Sequence, residues 1–316
     1  MFLPVKADFK LPRFPWLTTI VCVVCLGIFL KQVSDWNDFE HAIYSFCGKS
    51  RSDIAQMIFK QAAGGSPEAC LEIMYGIATS DDEQASIEKI VAEMEPLKGF
   101  SADDSRYYVS EMLNAEMRQY HIRVPGHPDE GLAYYTATWN PLTMVASSFA
   151  HGSWSHIIFN LIFFVAFAGT VEVLIGSLAF VSLFLVVSLF SGVFSSISAI
   201  ASGSHYSTLG LSGVVMGMMG LFAYLMPKGK IRCYYWFIIF FGSVAIPAWA
   251  IAAWYIGGDL YTLFTSQDHG MVNVMAHVTG GIAGYLFGLI FLRRVRWETR
   301  ILQQEADRQA TRARIA

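Results

Sequence analysis

Three short stretches of the chain set polar side chains into runs that are otherwise apolar. Their residue types are those of acyl transfer. His151-Gly-Ser-Trp-Ser-His156-Ile-Ile-Phe-Asn160 leads into the first, Gly210-Leu-Ser212-Gly213 opens the second, and Ala276-His277-Val-Thr-Gly280-Gly281 lies in the third. A serine hydroxyl is a weak nucleophile until a base takes its proton. His277 can take it from Ser212 and return it to a leaving amine. The tetrahedral intermediate carries a negative oxygen that needs preorganised donors, and His156, Asn160 and the backbone N–H of Ser212 could supply them. His156 and Asn160 are four apart and share a helix face. On a helix His151 would point about 140° away from His156 and so do a separate job. No Asp or Glu stands within these runs near His277. Asn273 is one turn before it, and Asp259 and Asp268 fall in an expected loop, so a Ser–His dyad is more economical than a triad.

These residues need elements to hold them, and composition says which kind. Apolar residues make up 54% of the 316, charged residues only 15%, against about 25% charged in average soluble domains. Mean hydropathy is +0.43. That excludes a disordered chain, a collagen, a coiled coil and an ordinary soluble enzyme. The net charge of −3 argues against a nucleic-acid partner. The expected fold is an all-α membrane protein with six spans: Pro15–Leu30, Ser155–Val171, Ser177–Ile200, Leu209–Met226, Cys233–Ile256 and Met271–Leu292. No small-x-small cleavage pattern follows the first, so it reads as an uncleaved anchor. Lys6, Lys10 and Arg13 precede span one, Lys228, Lys230 and Arg232 separate spans four and five, and Arg293, Arg294, Arg296 and Arg300 follow span six. The loops at Ala201–Thr208 and Gly257–Gly270 hold no Lys or Arg. Both termini are therefore expected in the cytoplasm. The expected setting is a cell membrane, as in a bacterial inner membrane.

The expected organisation is residues 1–32 as N-terminus and first span, 33–138 as a helical insert outside the cytoplasm, 139–292 as the core bundle, and 293–316 as a basic tail. Within the insert Ser66-Pro67-Glu68 reads as a helix start, and Ser101-Ala-Asp-Asp104 as a variant capping box. Ile54, Ile58 and Phe59 fall at helical period, as do Ile87, Ile90 and Val91, which predicts four short amphipathic helices. Of five cysteines, Cys22 and Cys25 are apolar fillers of span one, and Cys233 opens span five. Cys47 and Cys70 both lie in the insert. An oxidising compartment favours their pairing, although spacing alone leaves paired and free states open.

A Ser between glycines in an apolar helix is most often a packing contact, and a polar group in a span can be interhelical glue. Depth shifts the balance. Ser212 lies 15 residues before Pro227, His277 15 before Leu292, and His156 16 before Glu172. At 1.5 Å per residue all three stand roughly 22–24 Å above the cytoplasmic boundary, in one layer. Gly213, Gly217 and Gly220 line span four, and Ala276, Gly280, Gly284 and Gly288 recur every four residues along span six. Such stripes let two backbones approach closely, so Ser212 and His277 can meet.

The set His151-x4-His156-x3-Asn160, Gly210-x-Ser212-Gly213 and Ala276-His277-x2-Gly280, on spans two, four and six, resembles the rhomboid intramembrane serine proteases. Gly169-Thr-Val-Glu172-Val-Leu-Ile-Gly176-Ser177 resembles the end of their second span. The resemblance covers about Asn140–Leu292. It implies a six-helix bundle with a cavity open to the outside. It also implies cleavage of single-span membrane proteins near the bilayer surface, without metal or cofactor. By the same resemblance Ser212 is the nucleophile and His277 the base, while His156, Asn160 and the Ser212 amide form the oxyanion hole. His151, Glu172, Gly210, Gly213 and Gly280 give structural support, and span five with the following loop gates substrate entry. Two departures stand out: Leu142-Thr143 replaces a Trp-Arg pair common in the membrane-lying first loop, and Met216 replaces an aromatic against the imidazole. The rival reading is a silent rhomboid-like protein that binds or carries clients. Retention of Ser212, His277, His156 and Asn160 argues against it. A transporter would often show inverted repeats, a zinc protease H-E-x-x-H, and an aspartyl protease two membrane acids; Ile256-Gly-Gly-Asp259 resembles that last pattern only superficially.

Overall fold

The computed structural model describes residues 2–7, 13–49, 53–63, 66, 68–80, 82–237, 240–265, 273–301 and 303–304. Its helices are α1 (Trp16–Cys47), α2 (Asp53–Ala62), α3 (Ala69–Ala78), α4 (Glu83–Glu93), α5 (Ala102–Arg123), α6 (Pro141–Ala146), α7 (Trp154–Ile175), α8 (Ser177–Ser202), α9 (Ser212–Leu225), α10 (Ala248–Thr265) and α11 (Val274–Phe291). The strands are β1 (Phe2–Ala7), β2 (Tyr134–Tyr135), β3 (Ser207–Thr208), β4 (Lys230–Phe237) and β5 (Phe240–Pro247). Contacts divide the chain into two units, Met1–Leu30 with Gly131–Ala316, and Lys31–Glu130.

In the first unit, α7, α8 and α11 are long and apolar enough to cross a membrane, as is α1. The fourth apolar segment is helical for only 14 residues. The fifth departs from expectation. Cys233–Ile256 is not one helix, because β4 and β5 pair antiparallel from Lys230↔Pro247 to Phe237↔Phe240, and β1 adds to β4. An apolar run does not by itself separate strand from helix. Here Ile231-Arg-Cys-Tyr-Tyr-Trp-Phe237 is rich in aromatic residues that favour strands, and Pro247 stands where α10 begins. α10 then runs to Thr265, through residues 257–265 expected as loop. Asp268 and Met271 lie outside the described residues.

Glu172 ties α1 to α7. Its buried carboxylate accepts the N–H of Leu17 at 3.0 Å, and both the N–H and the hydroxyl of Thr18 at 2.7 and 2.8 Å. These are first-turn N–H groups of α1, which have no partner inside their own helix and favour a negative group. Arg13 donates to the Val173 carbonyl at 3.0 Å. The segment before α6 is pinned by β2–β3 pairing and by a hydrogen bond between Tyr134 and Ser196.

The second unit holds the later half of α1 with α2–α5. Phe46, Ile58, Met74, Ile87 and Leu113 form its centre, one from each helix. Ser101 caps α5, accepting the Asp104 N–H at 3.1 Å and donating to its carboxylate at 2.6 Å. At 22 residues α5 is not short. The first helix, 32 residues long, also outruns the expected span ending at Leu30: no Gly or Pro breaks the pattern between Leu30 and Cys47, so nothing stops it. α3 begins at Ala69 after Glu68, while Pro67 lies outside the described residues. Cys47 and Cys70 form a disulfide with their Cα atoms 5.7 Å apart.

Candidate active site

The site is built on the closest helix crossing in the bundle. A Cβ added to Gly280 would overlap the carbonyl oxygen of Gly213, one on Gly284 that of Gly217, and one on Gly220 that of Gly281. α9 and α11 therefore touch backbone to backbone, as the two small-residue stripes predict. At one end of this crossing a Cβ on Gly213 would stand 3.4 Å from the Ala276 carbonyl. Ser212 precedes Gly213 and His277 follows Ala276, so the crossing brings both to the same end. Ser212 is also the first residue of α9, where backbone N–H groups lack intrahelical acceptors.

The loop before Ser212 is held from three sides. Gly210 adopts φ 124° and donates its N–H to Ser147 O at 2.8 Å. A Cβ there would lie 2.7 Å from Cε1 and Nε2 of His156 and 3.7 Å from Nδ2 of Asn160. Only glycine fits both the conformation and the space. Leu211 donates its N–H to Nε2 of His151 at 3.5 Å. That acceptor role needs a neutral ring. Burial, with His156 nearby, pushes the His151 pKa down to about 4, a backbone hydrogen bond to Phe149 opposing.

His156 and Asn160 do share a face toward Gly210. Asn160 is buried, and among the described residues its Nδ2 has no hydrogen-bond partner. An unsatisfied buried donor is costly, by about 1–3 kcal/mol, and calls for an explanation. His151 is placed differently from expectation. α7 begins only at Trp154, with Ser153 as its cap accepting the His156 N–H at 3.2 Å. The helical angle therefore does not extend back to His151, and the two rings meet edge to face with centroids 5.1 Å apart.

His277 has a partner that sequence reasoning missed. Its Nδ1 lies 2.9 Å from Oδ2 of Asp259, on α10 rather than in a loop. The available signal was weak: an apolar run that continues past Gly257-Gly258 as far as Phe264. Asn273 has a different task. Its Oδ1 accepts the Ala276 N–H at 3.0 Å as the α11 cap, and its Nδ2 donates to Ser195 Oγ at 2.9 Å and Thr208 Oγ1 at 3.1 Å. Ser191 Oγ donates to the Ala276 carbonyl at 3.2 Å. A cavity beside Ser212, where Ser147, Ser188, Ser191 and Asn273 meet the apolar side chains of Met144 and Val214, has room for a few water molecules. Met216 is buried in α9, and Leu142 of α6 is largely exposed. Glu172 anchors α1 and does not reach this site.

Fold and site define a class: a polytopic helical membrane protein with a serine, two histidines and an asparagine gathered at the head of a glycine-lined helix crossing. The Rhomboid domain matches residues 138–294. The chain belongs to the rhomboid family. It is 26% identical over 175 residues to "Rhomboid protein 1, mitochondrial" of Saccharomyces cerevisiae, covering 53% of this chain and 46% of that one. It is 24% and 23% identical over 190 residues to "Presenilin-associated rhomboid-like protein, mitochondrial" of Mus musculus and Homo sapiens, covering 56% of this chain and 46% of theirs. The chain thus spans less than half the length of these relatives. All three are mitochondrial by name, which argues against the expected bacterial inner membrane.

Proposed function

We propose that this chain is an intramembrane serine endopeptidase that cleaves transmembrane segments of single-span membrane proteins. Ser212 Oγ attacks the scissile carbonyl while His277 takes its proton. His277 then returns that proton to the leaving amine, and water from the serine-lined cavity hydrolyses the acyl-enzyme. The oxyanion is met by the Ser212 N–H, by Asn160 Nδ2 and by His156. The helix N-terminus at Ser212 adds a favourable dipole. The observation that carries this reading is the convergence on the Gly210–Ser212 loop. There an unsatisfied buried amide faces the same few atoms that the α9–α11 crossing brings to His277. The insert lies on an oxidising side of the membrane, in keeping with the Cys47–Cys70 disulfide, and the two termini lie on the other side.

Ser212→Ala protein, reconstituted in liposomes with a single-span reporter, is expected to show no cleavage while keeping the wild-type unfolding temperature. A fluorophosphonate probe is expected to label wild-type protein at Ser212. Cleavage by the Ser212→Ala variant overturns the mechanism. Client binding with neither labelling nor cleavage would point to a non-catalytic carrier.

A further inference from the structure

We infer that Asp259 is a positioning residue for His277, holding its ring in the orientation and tautomer that let it act as base; this rests on the proposed protease reading. The contact is made by two helices packed at two points. Ile256 on α10 fills the space that a Cβ on Gly281 of α11 would occupy, and Asp259 Oδ2 meets His277 Nδ1 at 2.9 Å. The pairs 256 with 281 and 259 with 277 advance three residues along one helix and retreat four along the other. Those steps are about 4.5 and 6 Å, the register of antiparallel helices in contact. The hydrogen bond is therefore set by helix docking.

Both side chains are mostly buried, 16% exposed for His277 and 23% for Asp259. A carboxylate within an apolar bundle is expensive unless it has a task and a partner. As an acceptor, the carboxylate places the ring proton on Nδ1 and leaves Nε2 free to accept. During attack the Ser212 proton arrives on Nε2 while the Nδ1 proton stays where it is. Asp259 takes no proton; it stabilises the imidazolium that forms. Among the described residues His156 is a titratable neighbour of His277, and it can offer no negative charge.

A simple latch between α10 and α11 would predict something else: altered substrate entry, seen in KM, with the chemical step intact. Asp259→Asn keeps the size and removes the charge, and its amide can donate to Nδ1 and so favour the wrong tautomer. In liposomes kcat for the reporter is expected to fall on the order of 10–100-fold, with KM within about twofold of wild type. Partial exposure keeps this below the loss seen for fully buried triads. Fluorophosphonate labelling of Ser212, which needs no peptide to enter, should slow in parallel. Asp259→Glu should recover more activity than Asp259→Ala. Wild-type kcat in Asp259→Asn, with Ser212→Ala inactive, overturns the positioning role and leaves the protease reading standing. Activity in Ser212→Ala overturns the protease reading itself. An effect confined to KM, with labelling unchanged, also overturns the positioning role, in favour of the latch. Should Asp259→Asn lose thermal stability, 15N shifts of His277 in the wild-type protein decide: a protonated Nδ1 supports the inference and a protonated Nε2 refutes it.

Discussion

Gly210 carries the sharpest test of the site geometry. Substituting Ala introduces two separable penalties. The residue sits at φ 124°, a region where a non-glycine residue costs on the order of 1–3 kcal/mol. The new Cβ would also lie 2.7 Å from two atoms of the His156 ring. Ordinary carbon contact is about 3.5 Å, so the ring or the loop must retreat by about 0.8 Å. Overpacking of that size adds about 1–3 kcal/mol. The expected total is about 2–6 kcal/mol, and a displacement near 1 Å costs about 10²-fold in rate. Gly203 is the control. It too has positive φ, 67°, but a Cβ there meets nothing within 4 Å. Gly203→Ala should lose about 1–2 kcal/mol of stability and keep its activity. The assays are thermal unfolding in detergent and kcat/KM for a single-span reporter in liposomes. If Gly210→Ala behaves like Gly203→Ala in both, the loop is not pressed against His156 and the account of the site fails.

Other substitutions probe separate parts of the structure. Asn160→Ala should lower kcat by about 10²–10³-fold with little or no loss in unfolding temperature, because the Nδ2 it removes has no partner among the described residues; a large stability loss would contradict that. Glu172→Gln should cost about 2–4 kcal/mol by weakening charge-assisted bonds to Leu17 and Thr18, read as a lower unfolding temperature with the chemistry retained at low temperature. Replacing Cys47 and Cys70 by Ser opens a loop with a sequence separation of 23 and should destabilise Lys31–Glu130 by about 3 kcal/mol, measured as faster limited proteolysis of that unit. His151, whose pKa is lowered from 6.5 to about 4, contributes stability above pH 6.5 that is lost as pH falls toward 4, because the unfolded chain binds the proton first. His151→Gln should flatten the fall in unfolding temperature across that window, and an unchanged slope would count against the buried neutral ring.

Much of the site could be read before the fold because it is written in local periodicity. A four-residue spacing puts His156 and Asn160 on one face, and glycine stripes on two segments declare a close crossing wherever those segments meet. Asp259 was not legible for the opposite reason. Its contact depends on where α10 starts, and that depends on whether residues 230–247 are helix or strand. In an aromatic, apolar run the two periods look alike, and pairing with β1, more than two hundred residues away in sequence, decides between them. An error about Cys233–Ile256 thus carried over into the chemistry: once that run was read as helix, Asp259 fell into a loop and a dyad looked sufficient. The helical angle expected for His151 failed similarly, since helical geometry was extended past the cap at Ser153.

The shortness of α9 ties fold to chemistry. At 14 residues it is about 21 Å long, against roughly 30 Å of hydrocarbon. A helix of that length cannot reach both surfaces, so one end must stop inside the bundle. Backbone that stops being helical at depth is tolerated only where protein or water satisfies it. Here the Gly210 N–H goes to Ser147 and the Leu211 N–H to His151, and the cavity beside Ser212 has room for water. The next N–H, that of Ser212 itself, has no acceptor among the described residues and is left at a helix N-terminus beside an unsatisfied amide and two histidines. A longer, better-spanning α9 would bury Ser212 in mid-helix, spend its N–H on an intrahelical bond and close the cavity. Extending α9 by a full turn before Ser212 should therefore improve its fit to the membrane while abolishing labelling of Ser212, and an elongated variant that still reacts would show that the short helix is incidental.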